Sequence, residues 1–480
     1  MLLTLILIGA FFVRLYRFNG PIADWHSWRQ ADTSAVSRNF VKYGFDLLHP
    51  TFEDLSNVPS GLDNPKGYRF VEFPIYNLLQ AGGYKLFGIL TLEQWGRVIT
   101  IIMSLFSTVF IFLLGKRHIG TTAAFFAAGF FAFIPYNIYY SRVILPDPSM
   151  VTATLACIYF FDKYVEESQK LKGKSQKFGF FVWVLFLASL LSGMLALLLK
   201  PYAAFFFLSL ILIAWEEWQF GLFKKNILYI GIILMGIPLL WWRLWMRQFP
   251  EGIPVSDWLF NGGNIRFTGA YFYWIFAERI SKLILGYWGV SIVMSAFLSR
   301  KKSLFFVGSF VLSSLIYLTV IARGNVQHDY YQILIIPTLA LLFGLGADVV
   351  INQLGKKWAG IGIVAICSIF MLMFGWYQVR DYFNINNPSI VIAGKAADKL
   401  LPKDAKVIAP YGGDTSFLYQ TNRQGWASLE KDLPVMIDKL GAGYMVLVNP
   451  TKDDYNGFGK QYKVVASSTE YLILNLSDKQ

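Results

Sequence analysis

The chain has 480 residues, of which 55% are hydrophobic and 18% aromatic but only 15% charged, against about 25% charged in soluble domains. That balance excludes an ordinary soluble protein and reads as a polytopic membrane protein. The net charge of +13 implies no nucleic-acid partner, because the excess lies in short clusters between apolar runs: Lys116-Arg117, Lys170 to Lys177, Lys224-Lys225, Arg300-Lys301-Lys302 and Lys356-Lys357.

The first apolar run, Leu2 to Phe12, is followed by Arg14 and Arg17 instead of a small-residue cleavage site, and is read as a retained span. About 20 apolar residues cross a bilayer. On that measure the spans fall near 2–16, 96–115, 121–140, 148–165, 178–199, 202–219, 226–246, 282–299, 303–322, 331–351 and 358–378, about eleven in all. Lys and Arg are retained on the cytoplasmic side. Placing all five clusters there sets the N-terminus inside and the C-terminus outside the membrane.

With that topology the long polar segments lie outside. Residues 17–92 form the first and largest outer loop, with amphipathic stretches near Thr33–Tyr43 and Ile75–Phe87 suited to lie in the interface. A second outer segment, about 247–281, is rich in Trp, Tyr and Phe. From about Asn386 the composition becomes that of a soluble domain. Lys406–Pro410, Tyr444–Val448, Lys463–Ser467 and Tyr471–Leu476 read as strands, and Ser389–Leu401 and Leu429–Leu440 as helices. The expected architecture is a membrane-embedded domain over 1–385 and a small outer α/β domain over 386–480. Cys157 and Cys367 lie in apolar runs and offer neither metal-ligand spacing nor a disulfide framework.

Five polar groups should meet at the outer surface. The densest is Asp24-Trp25-His26-Ser27-Trp28-Arg29-Gln30-Ala31-Asp32-Thr33, continuing to Arg38. Ionisable groups crowded beside a span mark a working site more often than a plain loop, although an interfacial aromatic belt is the plainer alternative. If a helix begins by Trp28, Arg29 and Asp32 share one face and can pair. A carboxylate beside an arginine stays ionised, as a general base or an electrostatic anchor requires. The second group is Glu72-Phe73-Pro74. The third is Pro146-Asp147-Pro148, where Asp147 sits on a rigid turn or caps a helix. The fourth is Lys200-Pro201-Tyr202, whose lysine either snorkels to the headgroups or neutralises a phosphate. The fifth joins Arg323 to Gln327-His328-Asp329-Tyr330-Tyr331. No P-loop, zinc-spaced His or Cys set, or G-x-S-x-G elbow is present, so ATP-driven transport and serine hydrolysis find no support.

These residues resemble a family. The His26-x-Trp28-Arg29-Gln30-Ala31-Asp32-Thr33 run, with Arg38 beyond it, is similar to a signature of bacterial dolichyl-phosphate-mannose protein mannosyltransferases, related to the lipid A aminoarabinose transferases. Glu72-Phe73-Pro74 resembles their Glu-x-Pro element, Leu145-Pro146-Asp147 their third-span exit, Leu199-Lys200 their phosphate-side lysine, and Tyr330-Tyr331 before Pro337 a late Tyr-Tyr…Pro pattern. The resemblance implies a GT-C fold and a lipid-phosphate-sugar-dependent glycosyltransferase. It departs in two places. The aminoarabinose transferases carry Asp-Glu where this chain has Arg29-Gln30, and arginine where it has Asp32. The lysine of their Glu-Lys-Pro element is Phe73 here.

The resulting expectation is an inverting transferase that moves a sugar from a polyprenyl-phosphate donor to a lipid, glycan or protein hydroxyl. Asp32 is the preferred base, with Asp24 as alternative. Lys200, with Arg29 or Arg323, would hold the phosphate. His26, Gln30, Arg38, Glu72, Asp147, His328, Tyr330 and Tyr331 would position substrate. No cofactor or obligatory metal is expected, since no Asp-x-Asp pair stands in the first outer loop; a divalent ion stays an open alternative. The rival from another class is a multipass transporter or lipid flippase, whose mid-membrane charges and internal repeats are not evident here. A non-catalytic membrane scaffold is the third reading.

Overall fold

A computed structural model describes residues 1–170, 177–299, 303–352 and 356–479. The basic cluster Lys170 to Lys177 falls partly outside them, at 171–176, and Arg300-Lys301-Lys302 wholly outside. The chain opens with α1 (Leu2–Arg14), α2 (Ser27–Tyr43), α3 (Ile75–Phe87), α4 (Leu92–His118), α5 (Thr121–Phe133), α6 (Pro135–Tyr140), α7 (Asp147–Lys170) and α8 (Lys177–Leu199). Helices over Pro201–Lys224, Asn226–Met246, Ser303–Val320, Asp329–Asn352 and Lys357–Val379 complete the helical body. Among the described residues six helices are long and apolar enough to cross a membrane, or seven if one bent pair is a single span.

The helix Asp329–Asn352 is the central post: every residue from Ile336 to Ile351 is buried. A helix apolar all round belongs in a core, and small residues let its neighbours approach. A Cβ on Gly346 would lie 1.8 Å from the Ile292 carbonyl oxygen, and one on Gly344 2.3 Å from that of Ala123. The span expected over 282–299 is not one continuous helix. Residues 269–284 and 289–298 are two helical pieces bent by 110°. At the bend Gly286 has φ +49°, and a Cβ there would lie 2.4 Å from the Met371 carbonyl oxygen, so only glycine fits this turn.

The first outer loop departs from expectation in one respect. α3 matches the expected stretch and leaves Leu79, Leu86 and Phe87 exposed, as an interfacial helix would. The stretch Thr33–Tyr43 does not lie in an interface. It belongs to α2, in which twelve of seventeen residues are buried. Polar contacts in place of apolar ones close its faces: Asn77 Nδ2 donates to the Thr33 carbonyl at 2.6 Å, Ser37 Oγ to Gln80 Oε1 at 2.8 Å, and Asn39 Nδ2 to Thr51 Oγ1 at 3.1 Å.

The C-terminal residues form a five-stranded sheet in the order β2-β1-β3-β5-β4, with β1 Val407–Ile408, β2 Gly425–Trp426, β3 Tyr444–Val448, β4 Tyr462–Ser467 and β5 Tyr471–Lys479. β1 runs parallel to β2 and β3, while β5 runs antiparallel to β3 and β4. Helices Pro388–Leu400 and Thr415–Thr421 pack on the sheet through Ile390, Ala393, Phe417 and Val446, joined by Ala23 from the first loop. Thr415–Thr421 also lies along α2. Arg38 donates to the Tyr419 carbonyl at 2.8 Å and covers the Tyr419 ring at 3.5 Å, with Glu53 at 3.2 Å and Glu93 at 3.5 Å.

A second knot lies deeper. Buried Asp329 accepts from Trp25 Nε1 at 3.1 Å, Tyr140 Oη at 2.6 Å and Tyr382 Oη at 2.7 Å, and its Oδ1 is 2.6 Å from His26 Nε2. One carboxylate thus joins the first loop, α6, the central post and the segment after Val379. Its removal strands several buried donors. Asp329→Ala is expected to lower the detergent Tm sharply, with a cost of about 3–5 kcal/mol, the scale for breaking a buried charged pair; Tm and the monodisperse yield check it.

At the seam with the sheet, burial pushes the Asp54 carboxyl up to about 7, the hydrogen bonds from Ser56 opposing and Asp32 adding to the rise. A raised folded pKa gives stability that is lost as pH rises through it. Asp54→Asn, which keeps the Ser56 contacts without the charge, should raise Tm at pH 8, and the gain should shrink as pH falls below about 7 and vanish only below about pH 4, where the unfolded carboxyl is protonated as well. Equal Tm values of the two proteins at pH 8 would contradict this.

Candidate active site

The site forms where α2, residues 69–74, the start of α7, residues 200–202 and residues 328–331 converge. Arg29, two residues into α2, donates to Glu72 and lies 3.3 Å from Thr33 Oγ1. The expected pairing of Arg29 with Asp32 is not formed. Although the two share a helix face, the neighbouring loop supplies a closer partner for each: Glu72 takes Arg29, and Arg69 Nη2 holds Asp32 Oδ2 at 2.5 Å. Thr415 Oγ1 donates to the other Asp32 oxygen at 2.6 Å. Asp32 is 4% exposed.

Lys200 does not snorkel. It is 6% exposed, and its Nζ donates to Asp147 Oδ1 at 2.7 Å, with Glu72 at 3.8 Å and the Tyr330 and Tyr331 rings at 5.5 and 5.6 Å. Asp147 opens α7, and its second oxygen is buried without a partner. Burial alone would raise the Glu72 pKa, but Arg29 and then Lys200 hold it below the usual carboxylate range. Burial, with His26 beside it, lowers His328 to about 4, so this ring is neutral at physiological pH.

Arg29, Glu72, Lys200, His328, Tyr330 and Tyr331 line a groove of ≈ 530 Å³. Arg29, Arg69, Lys200 and Arg243 are its cations and Glu72 its carboxylate, and Phe70, Tyr202, Phe205 and Trp258 belong to its apolar wall. The cations differ in one respect. Arg29, Arg69 and Lys200 each hold a carboxylate, whereas among the described residues no carboxylate lies within 4.0 Å of Arg243, whose Nη1 donates to Met246 Sδ at 3.7 Å and which feels Glu72 only from farther off. A basic pocket walled by aromatics suits an anion carrying an apolar tail. Arg29, Arg69, Val71 and Glu72 also border a narrow cleft that reaches Asp32 and Pro146.

The remaining expected site residues divide. Glu72, Asp147, His328, Tyr330 and Tyr331 surround or line the groove. His26 lies beside it, in the left-handed region at φ +53°, with its ring on Asp329 and edge-on to His328 and Tyr330. Asp24 is elsewhere: Arg142 Nη2 donates to it at 2.9 Å and Gln30 Nε2 at 2.7 Å, beside a separate depression with Arg17. Arg38 serves the seam with the sheet. Arg323 packs its stem against Gly262 and joins neither the groove nor the ion pairs. Arg69 and Arg243 were not expected. Arg69 sits in an irregular loop that carries no periodicity, but Arg243, a lone charge in an apolar helix, is a recognisable signal. Among the described residues no cluster of three or more His, Cys, Asp or Glu is placed to hold a metal.

Comparison with known proteins follows the geometry. Residues 71–245 match the family model described as dolichyl-phosphate-mannose-protein mannosyltransferase. No curated protein matches the sequence. Among solved structures, ArnT from Cupriavidus metallidurans bound to undecaprenyl phosphate superposes with a TM-score of 0.66 at 15% identity, over 98% of this chain and 97% of that one. The Archaeoglobus fulgidus oligosaccharyltransferase AglB, in complex with an inhibitory peptide and a dolichol-phosphate, gives 0.59 at 12%, over 95% and 70%. The same archaeal enzyme with zinc and sulfate gives 0.60 at 12%, over 93% and 68%. The fold is that of these GT-C structures, and within it residues 71–245 are similar to the dolichyl-phosphate-mannose-protein mannosyltransferase family.

Proposed function

We propose that the chain transfers a hexosyl or pentosyl unit from a polyprenyl-phosphate donor to an acceptor hydroxyl, with inversion, at the outer face of a bacterial plasma membrane. In this reading the N-terminus is cytoplasmic and residues 386–480 lie outside. The observation that carries it is the groove with one unpaired cation, Arg243, beside Lys200 and Arg29. A polyprenyl phosphate leaves readily once its charge is neutralised, so no nucleotide site is needed. The undecaprenyl phosphate in ArnT and the dolichol-phosphate in AglB support a ligand of this class.

Lys200 and Arg243 hold the phosphate, and Arg29, already tied to Glu72, supports them. The acceptor reaches the anomeric carbon by way of the narrow cleft. As its oxygen attacks, Asp32 takes the hydroxyl proton. The bond from the anomeric carbon to the phosphate oxygen breaks, and the phosphate keeps that electron pair. Glu72 and Asp147 orient substrate hydroxyls, and His328 with Tyr330 and Tyr331 flanks the donor. The lipid, glycan or protein nature of the acceptor is left open.

Four substitutions separate these roles. Lys200→Ala and Arg243→Ala strip cations from a developing phosphate charge in a partly dry site, and each should reduce turnover by about 10²- to 10³-fold. Lys200→Arg should recover part of the loss, because a planar guanidinium is not equivalent to an ammonium. Asp32→Asn keeps shape without accepting the proton. It should cost roughly 10²- to 10⁴-fold while binding of undecaprenyl phosphate persists. Release of undecaprenyl phosphate from undecaprenyl-phosphate sugars, with a panel of acceptors and a thermal-shift control, measures all of them. Full activity in every variant would remove these residues from the transfer, and no release by the unsubstituted protein with any acceptor would favour a transporter.

A further inference from the structure

We infer that Thr415, contributed by the C-terminal sheet region, is a positioning residue for the transfer and that this region is therefore part of the catalytic unit. The inference rests on the reading of Asp32 as base. The two Asp32 oxygens are held from opposite sources, Oδ2 by Arg69 of the first loop at 2.5 Å and Oδ1 by Thr415 Oγ1 at 2.6 Å. The second distance is that of a hydroxyl donating to a charged oxygen. The Trp28 carbonyl, at 3.3 Å from the same hydroxyl, is the weaker competitor for its one proton. A carboxylate offers about four acceptor positions, so these two donors leave room for the proton of an incoming hydroxyl.

Thr415 is itself firmly placed. It opens the helix Thr415–Thr421 behind the cap Asp414, whose carboxylate accepts from the Ser416 amide at 2.8 Å. One turn on, Tyr419 Oη meets Ser34 Oγ of α2 at 2.9 Å and donates to Glu93 at 2.6 Å. Gln420 Nε2 donates to the Ile22 carbonyl at 2.9 Å. The short helix is thus fastened to α2 at Ser34, to α4 at Glu93 and to the segment before α2 at Ile22, which holds the Thr415 backbone beside the Asp32 carboxylate. A misplacement of about 1 Å in a reacting group costs on the order of 10²-fold, which gives the contact a kinetic consequence that a packing contact lacks.

The test uses the full chain in detergent and the undecaprenyl-phosphate sugar that the unsubstituted protein turns over. Thr415→Val keeps the shape and removes the donor, whereas Thr415→Ser keeps the donor. The expected result is a kcat at least about 10-fold lower for Val, with the donor KM and the binding of undecaprenyl phosphate alone unchanged and Ser restoring most of the rate. Wild-type kcat in Thr415→Val, beside an inactive Asp32→Asn, overturns the positioning role and leaves the base standing. Equal losses in Val and Ser with a lowered Tm make Thr415 a packing residue and also overturn it. An active Asp32→Asn removes the base and this inference with it.

Discussion

Burying a charged helix among other protein segments costs several kcal/mol per unpaired charge, and the architecture around α2 follows from that constraint. Arg29, Asp32 and Arg38 stand on one short helix and all are largely hidden from solvent. All are answered from outside the helix: Arg29 and Asp32 by Glu72 and Arg69, Arg38 by Glu53 and by Glu93 at the start of α4. The loop cannot leave α2, nor α2 the sheet, without exposing a buried charge to an apolar neighbour. The same pairs fix the side chains that border the groove. Stability and preorganisation therefore come from one set of contacts, as a site on rigid elements requires.

Against that background the distribution of charge in the groove carries meaning. Lys200 already balances Asp147, and Arg29 already balances Glu72. Arg243 has no such partner among the described residues, and it stands among aromatics where a lone cation is expensive. An anionic ligand would complete the set. A phosphate on an apolar tail satisfies both the cations and the wall of Phe70, Phe205 and Trp258, whereas a free sugar or a zwitterionic lipid satisfies only part.

Much of this was legible in the sequence, and the remainder fails for identifiable reasons. Apolar length located most of the helices, and a short β-branched, apolar run located β3, whose bounds coincide with expectation. The Asp24–Asp32 segment was conspicuous because charges beside a span are costly. What periodicity could not supply was the choice of partners. Arg69 and Thr415 reach Asp32 across 37 and 383 residues of chain, and local spacing favoured Arg29 instead. The stretch Thr33–Tyr43 looked interfacial because its polar face was taken as wet, when Asn77, Gln80 and Tyr419 close it. The bend at Gly286 left no mark in hydropathy, since both arms are apolar. Strand β2, two residues long and begun by Gly425, is held by pairing with Val407 and Asp54 and has no pattern of its own.

The central claim is that the groove beside Lys200 and Arg243 receives a prenyl-linked phosphate. A cryo-electron microscopy map of the full chain with undecaprenyl phosphate tests it most directly. The account predicts phosphate density within hydrogen-bonding reach of Lys200 Nζ and the Arg243 guanidinium, with the prenyl chain leaving along Phe205 and Trp258. Density for the headgroup elsewhere on the protein, with the groove empty at saturating lipid, would contradict it.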